Sequence, residues 1–141
     1  MPLRGRLASQ FRAAGRRPPV HGRAVAEQNV PVELDSFTFV LLRRPHDAPD
    51  YPEAELAELQ AGHLANLARL GEQGLLVLAG PFSDQADESL RGFGIFRSGL
   101  AETRSLMADD PAVRAGRLVA DVMTWSTPAG SLPEARSRTS G

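Results

Sequence analysis

The feature that most constrains this fold is the order in which strand-like and helix-like segments follow one another. From Leu34 to Trp125, short apolar runs alternate with longer stretches in which leucines recur every three or four residues. In chain order these segments predict strand, helix, strand, strand, helix and strand. Two helices can cover only one face of the sheet that four such strands form.

The four predicted strands are bounded by prolines, glycines and polar turns. In chain order they are "SFTFVLL", which ends at Arg43–Arg44, then "GLLVLAGPF", "SLRGFGIFR" and "RLVADVMTW". The second is a continuous apolar run closed by Gly80–Pro81, a pattern typical of a strand buried on both faces. The third contains two glycines, which allow close backbone approach.

The two predicted helices have conventional start and stop signals. The first starts near Pro52 and runs to about Leu70, where Gly71 ends it. The second runs from Ser98–Gly99 through Met107, and the segment "DDPAVRAG" after it has room for one short helical turn.

The strand and helix order predicts an α+β fold, a ferredoxin-like βαββαβ unit with a four-stranded antiparallel sheet. Alternation along the first strand directs Phe37, Phe39 and Leu41 to one face of the sheet. It directs Val40 and Leu42 to the other face, so both faces are apolar. A second copy is the simplest cover for the face without helices, and we expect a homodimer joined sheet to sheet.

The ends of the chain lie outside this pattern. In the first thirty residues, six arginines face a single glutamate, and this composition predicts a disordered, Arg-rich arm over residues 1–33. The folded domain is expected over residues 34–127. The Pro-, Gly-, Ser- and Arg-rich residues 128–141 predict a flexible tail.

Composition excludes several functional classes. The chain has no cysteine, so disulfides, thiolate nucleophiles and cysteine-ligated metals are ruled out. The net charge is −1, which does not favour a nucleic-acid partner. No apolar run approaches the roughly 20 residues of a membrane span. We therefore expect a cytoplasmic protein with no nucleic-acid or membrane partner.

A histidine interrupts the leucine pattern of the first helix. At about 100° per residue, one narrow face carries Leu56, Leu59, His63, Leu67 and Leu70. The opposite side carries Glu55, Glu58, Gly62 and Arg69. His63 therefore points toward a core or a cavity, either as a histidine satisfied by a backbone carbonyl or as an acid/base group of a site.

Three segments resemble the YciI-like (YCII-related) family of the dimeric α/β-barrel superfamily: "HLANLARLGEQGLLVLAGPF", "GFGIFRS" and "ADDPAVRAGRLVADVMTW". They occur in the family's order and spacing and span about residues 37–125. The resemblance implies a ferredoxin-like protomer that forms a barrel with a second copy. It also implies a small-molecule substrate, since a few relatives act on chlorinated or hydroxylated aromatic compounds. One position departs from the family, because Gln60 stands where relatives often carry a basic residue.

The resemblance also implies an active site made by His63 and Asp110, the aspartate directly before Pro111. Asp110 would accept a hydrogen bond from one ring nitrogen and leave the other facing substrate. Asp109 is the competing carboxylate. The chemistry implied is general acid/base catalysis, as elimination, dehydrochlorination or isomerisation of a small cyclic or aromatic molecule. The alternative is a non-catalytic module for ligand binding or dimerisation, because a fold does not determine function.

Two further positions are candidates for ligand contacts. Arg43 and Arg44, at the end of the first strand, are predicted to bind substrate, since a guanidinium can pair with an anionic group through two hydrogen bonds. A solvated surface pair is the alternative. His46 and His63 would supply only two metal ligands, with no third at a fixed spacing, so we predict neither a metal nor a cofactor.

Overall fold

The structure, a computed structural model, describes residues 32–133. The elements in chain order are β1 (Leu34–Arg43), α1 (Glu53–Glu72), β2 (Leu76–Pro81), β3 (Leu90–Phe96), α2 (Leu100–Ala108), α3 (Pro111–Arg114) and β4 (Val119–Pro128). The predicted arm as far as residue 31, and the predicted tail from residue 134 onward, lie outside the described residues.

The four strands form one antiparallel sheet in the order β2-β3-β1-β4. This arrangement confirms the predicted α+β, ferredoxin-like fold. The central pair of strands, β1 and β3, is flanked by β4 on one side and by β2 on the other. The last strand continues to Pro128, which pairs with Leu34, so regular structure extends one residue beyond the predicted domain end.

The helices pack on one face of the sheet. Val40 and Leu42 of β1 and Phe96 of β3 form a buried core there with Leu70 of α1 and Met107 of α2. This placement confirms the predicted alternation along β1. Backbone register aligns the opposite face as a row of apolar side chains: Phe37, Phe39, Leu41, Phe93, Ile95, Met123 and Trp125.

The prediction that β2 is buried on both faces is wrong. Four of its six residues are exposed, Leu78 to 38%. The strand lies at the edge of the sheet and pairs only with β3 among the described strands. A continuous apolar run is compatible with a central strand and also with an edge strand that borders a cavity. The run does not show whether other strands pair with it on both sides or on one side only.

Helix α1 extends two residues beyond its predicted end. Gly71 remains in the last turn, and the chain leaves the helix at Gly74, whose φ of 78° suits a glycine just after a helix. Although α1 has 20 residues, no helix within residues 32–133 combines the length and apolar composition needed to cross a bilayer. Only three of its residues are buried: His63, Asn66 and Leu70.

Candidate active site

His63 and Asp110 form a buried hydrogen-bonded pair. The Nδ1 atom of His63 lies 2.9 Å from Oδ1 and 3.0 Å from Oδ2 of Asp110. His63 is 7% exposed, and Asp110 is fully buried. Asp109, the competing carboxylate, is exposed at the end of α2. Of the two adjacent aspartates, Asp110 is therefore the one that contacts the histidine.

Local sequence accounts for the position of Asp110. Asp110 is the N-cap of α3, and its Oδ2 accepts hydrogen bonds from the backbone N–H groups of Ala112 at 3.0 Å and Val113 at 3.3 Å. Pro111 occupies the first helical position, which suits its restricted backbone. The backbone N–H groups of α3 thus fix the carboxylate on one side, and its other side faces α1.

Asn66 adds a third partner to this carboxylate. It lies one helical turn after His63 and donates from Nδ2 to Oδ1 of Asp110 at 2.9 Å. Arg69 in turn donates to Oδ1 of Asn66, which orients the amide with its N–H groups toward the aspartate. Sequence reasoning missed Asn66. The available signal was a second polar residue on the buried side of α1, three positions after His63.

These contacts determine the charge state of Asp110. Burial alone would raise the pKa of its carboxyl group, but hydrogen bonds from His63 and Asn66, with further support from His63 charge and the Val113 backbone, lower the pKa below the usual value. Asp110 is therefore ionised at neutral pH. An ionised carboxylate only accepts hydrogen bonds, so Nδ1 of His63 is the donor in this contact. In the neutral imidazole the other ring nitrogen, Nε2, is then the acceptor.

Gly62 lies against α3, contrary to its predicted place on the opposite side of α1. A Cβ atom on Gly62 would lie 3.1 Å from Cγ and 3.3 Å from Cβ of Pro111. The buried sector of α1 is wider than its leucine stripe because α3 packs beside that stripe. The helical pattern of α1 alone could not predict this contact, because Pro111 lies 49 positions after Gly62 in the sequence.

A cavity of about 700 Å³ lies beside the pair, between α1, β2 and the adjacent strand ends. His63 is part of its wall. The leucine stripe supplies apolar wall on the same side through Leu56, Leu59 and Leu67. Gln60 also lines the cavity. The predicted alternatives for the histidine face, a core or a cavity, are both realised, since Leu70 belongs to the core.

The two predicted substrate-binding arginines have different surroundings. Arg44 lines the cavity. Arg43 lies outside that lining, and its Nε donates to Oδ2 of Asp121 at 2.7 Å. Two further arginines in the cavity wall, Arg91 and Arg117, were missed because they are distant in sequence from Arg44 and from each other. Among the described residues, no group of three or more His, Asp or Glu side chains is placed to hold a metal ion.

Comparisons with known proteins agree with this architecture. The YCII-related domain family matches residues 38–126. A solved structure of 5-chloro-2-hydroxyhydroquinone dehydrochlorinase from Burkholderia phenoliruptrix AC1100, in complex with 2,5-dihydroxybenzoquinone, is 24% identical. The alignment covers 62% of this chain and 92% of that chain, with a TM-score of 0.43. A comparison with curated proteins finds no match. On the family match, which spans most of the described residues, the chain belongs to the YCII-related domain family.

Proposed function

We propose that the protein is a small enzyme that uses His63 and Asp110 for acid/base chemistry on a small cyclic or aromatic molecule. The observation that carries this proposal is the 2.9 Å hydrogen bond between the two side chains at the wall of a cavity of about 700 Å³. That volume falls within the range of small-molecule sites, roughly 300–1,000 Å³. The mostly apolar wall suits a ring, and the histidine supplies the reactive group.

In the proposed reaction, Nε2 of His63 accepts a proton from an acidic C–H or O–H group of the substrate. Asp110 stabilises the resulting imidazolium through Nδ1–H. In an elimination, the electron pair of the broken C–H bond forms a new π bond, and a leaving group such as chloride departs with its own bonding pair. In an isomerisation, the same proton returns to a different atom of the substrate. Neither reaction needs an oxidant or a reductant.

We also propose that the enzyme is a homodimer joined through the sheet face opposite the helices. This face carries a stacked pair of rings, Phe39 and Phe93, at 5.2 Å, and beside them Met123 is 41% exposed. A row of apolar side chains of this extent is typical of a protein interface. The cytoplasmic location expected from the sequence stays a prediction.

The test is a turnover assay on chlorinated hydroquinones and on lactones related to muconolactone, with substrate loss and chloride release as the readouts. We expect wild-type protein and His46→Ala to be equally active, because His46 is exposed in the loop before α1. His63→Ala should lose the activity. Activity of His63→Ala equal to wild type would contradict the proposal. Wild-type protein that binds such compounds without converting them would favour the ligand-binding module instead.

A further inference from the structure

The cavity wall carries an excess of positive charge. Three arginines from different parts of the fold line it: Arg44 directly after β1, Arg91 in β3, and Arg117 just before β4. Among the described residues that line this cavity, none is an aspartate or a glutamate. The carboxylate of Asp110 lies behind His63 and is already engaged by four donors.

The hydrogen bonds of these arginines do not neutralise them. Arg91 donates to the backbone carbonyl of Glu88 at 3.1 Å, and Arg117 donates to that of Pro49 at 3.0 Å. Both acceptors are uncharged. The Nε atom of Arg44 is buried and has no hydrogen-bond partner within the described part of the chain. A buried, unpaired donor is rare in folded proteins and calls for a specific explanation.

The neighbouring arginine shows the contrast. Arg43 is adjacent in sequence, but its guanidinium pairs with Asp121 at 2.7 Å. Arg44 instead lies in surroundings that oppose its charge, since burial, followed by the charges of Arg91 and Arg117, lowers its pKa. Within residues 32–133, the arginine outside the cavity thus has a carboxylate partner, and the structure gives none for the arginine inside it.

We propose that Arg44, Arg91 and Arg117 form a binding site for a carboxylate group of the ligand. The inference rests on the proposed function and names its substrate class: a monocyclic compound that carries a carboxylate. A carboxylate is planar and accepts two parallel N–H bonds from one guanidinium, and each of these three arginines carries such a group. The apolar wall, including Leu56, Leu59 and Leu67, contacts the ring and leaves it accessible to His63.

Calorimetric titration of the full chain with 4-hydroxybenzoate and 4-hydroxybenzamide tests this site. The two probes share ring and hydroxyl group and differ in the charge of one substituent. We expect the acid to bind at least about tenfold more tightly than the amide. Arg44→Gln should weaken binding of the acid by about the same factor and leave the amide unchanged. The matched control is Arg43→Gln, which should leave both affinities unchanged.

Four outcomes would overturn the site: equal affinity for acid and amide, no binding of the acid at millimolar concentration, an equal loss in Arg43→Gln, or displacement of the acid by equimolar inorganic phosphate. If Arg44→Gln does not fold, as judged by circular dichroism, Arg117→Gln takes its place with the same expected loss. His63→Ala should retain the preference for the acid. If the protein prefers the acid over the amide but converts no compound in the turnover assay, only the acid/base proposal is contradicted. If it converts such a compound but binds acid and amide equally, only this site is contradicted.

Discussion

Gly62 of α1 and Pro111 of α3 pack so closely that a Cβ on Gly62 would lie 3.1 Å from Cγ of the Pro111 ring. The next residue after Gly62 is His63, and the residue before Pro111 is Asp110. The close packing of the two helices at this point accompanies the 2.9 Å hydrogen bond between histidine and aspartate.

Gly62→Ala should lower activity by about tenfold, because moving Pro111 by a few tenths of an ångström disturbs the alignment of the pair. Stability should change by less than about 1 kcal/mol, since the higher helix propensity of alanine offsets the overlap. The matched control is Gly71→Ala in the same helix, where the nearest atom to a Cβ is 4.0 Å away. Equal activities of the two variants, measured beside their thermal unfolding, would contradict this account of Gly62.

Asn66→Ala should destabilise the protein by about 1–3 kcal/mol, because it removes a buried donor from an ionised carboxylate. The pKa of Asp110 should rise as a result, and the loss of stability in acid should begin at a higher pH. Arg69→Ala, which only releases the Asn66 amide, should show the same changes at smaller size. Denaturant unfolding at a series of pH values measures both effects. An unchanged stability and an unchanged pH dependence of stability in Asn66→Ala would contradict this role of Asn66.

The depressed pKa of Asp110 predicts a specific loss of stability in acid. A carboxyl group whose pKa is lower in the folded than in the unfolded protein stabilises the fold above its unfolded pKa, and that stabilisation disappears as the pH falls through the folded pKa. Asp110→Asn keeps the N-cap but does not titrate. The melting-temperature advantage of wild type over this variant should shrink as the pH falls below about 4.

Asp109→Asn is the control for this experiment, since Asp109 is the exposed neighbour in the same turn. For Asp109→Asn we expect no decrease of this kind in the melting-temperature difference from wild type as the pH falls. A wild-type advantage over Asp110→Asn that persists undiminished to pH 3 would contradict the assignment.

Arg44→Met should raise the melting temperature of the ligand-free protein by a few degrees. The substitution removes an unpaired buried donor and relieves repulsion from Arg91 and Arg117. Arg43→Met should instead lower the melting temperature slightly, because it breaks the pair with Asp121. A decrease for Arg44→Met as large as that for Arg43→Met would mean that Arg44 supports the fold rather than a ligand.

Light scattering should give a particle of twice the 15.2 kDa chain mass at micromolar concentration. Met123→Arg should shift the protein to monomers, since Met123 is 41% exposed on the sheet face without helices. Leu100→Arg introduces the same charge at a 36% exposed leucine of α2 and should leave the dimer intact. A folded wild-type monomer would contradict the sheet-to-sheet dimer.

The sequence by itself determined the features that depend on neighbours along the chain. The order of segments predicted the ferredoxin-like sheet, and alternation along β1 separated Val40 and Leu42 from the opposite face. The Asp–Pro step indicated the turn that became the N-cap of α3. The position of His63 toward a core or cavity followed from helical spacing, and the resemblance to the family named Asp110 as its partner. These patterns are visible in sequence because their periods are those of single helices, strands and turns.

Only the tertiary structure decided which surfaces of these elements meet. Strand β2 is exposed because no other strand of residues 32–133 pairs with its outer edge, and its own apolar run does not reveal this. Asn66 and Gly62 face α3 because that short helix packs beside α1. The arginines of the cavity come from three separate segments of the chain. Of two adjacent arginines, Arg44 lines the cavity while Arg43 pairs with Asp121. Contacts of this kind form between segments that are distant in sequence. Burial of apolar surface and pairing of polar groups determine which segments pack together, and the residue pattern of one helix or strand does not contain that information.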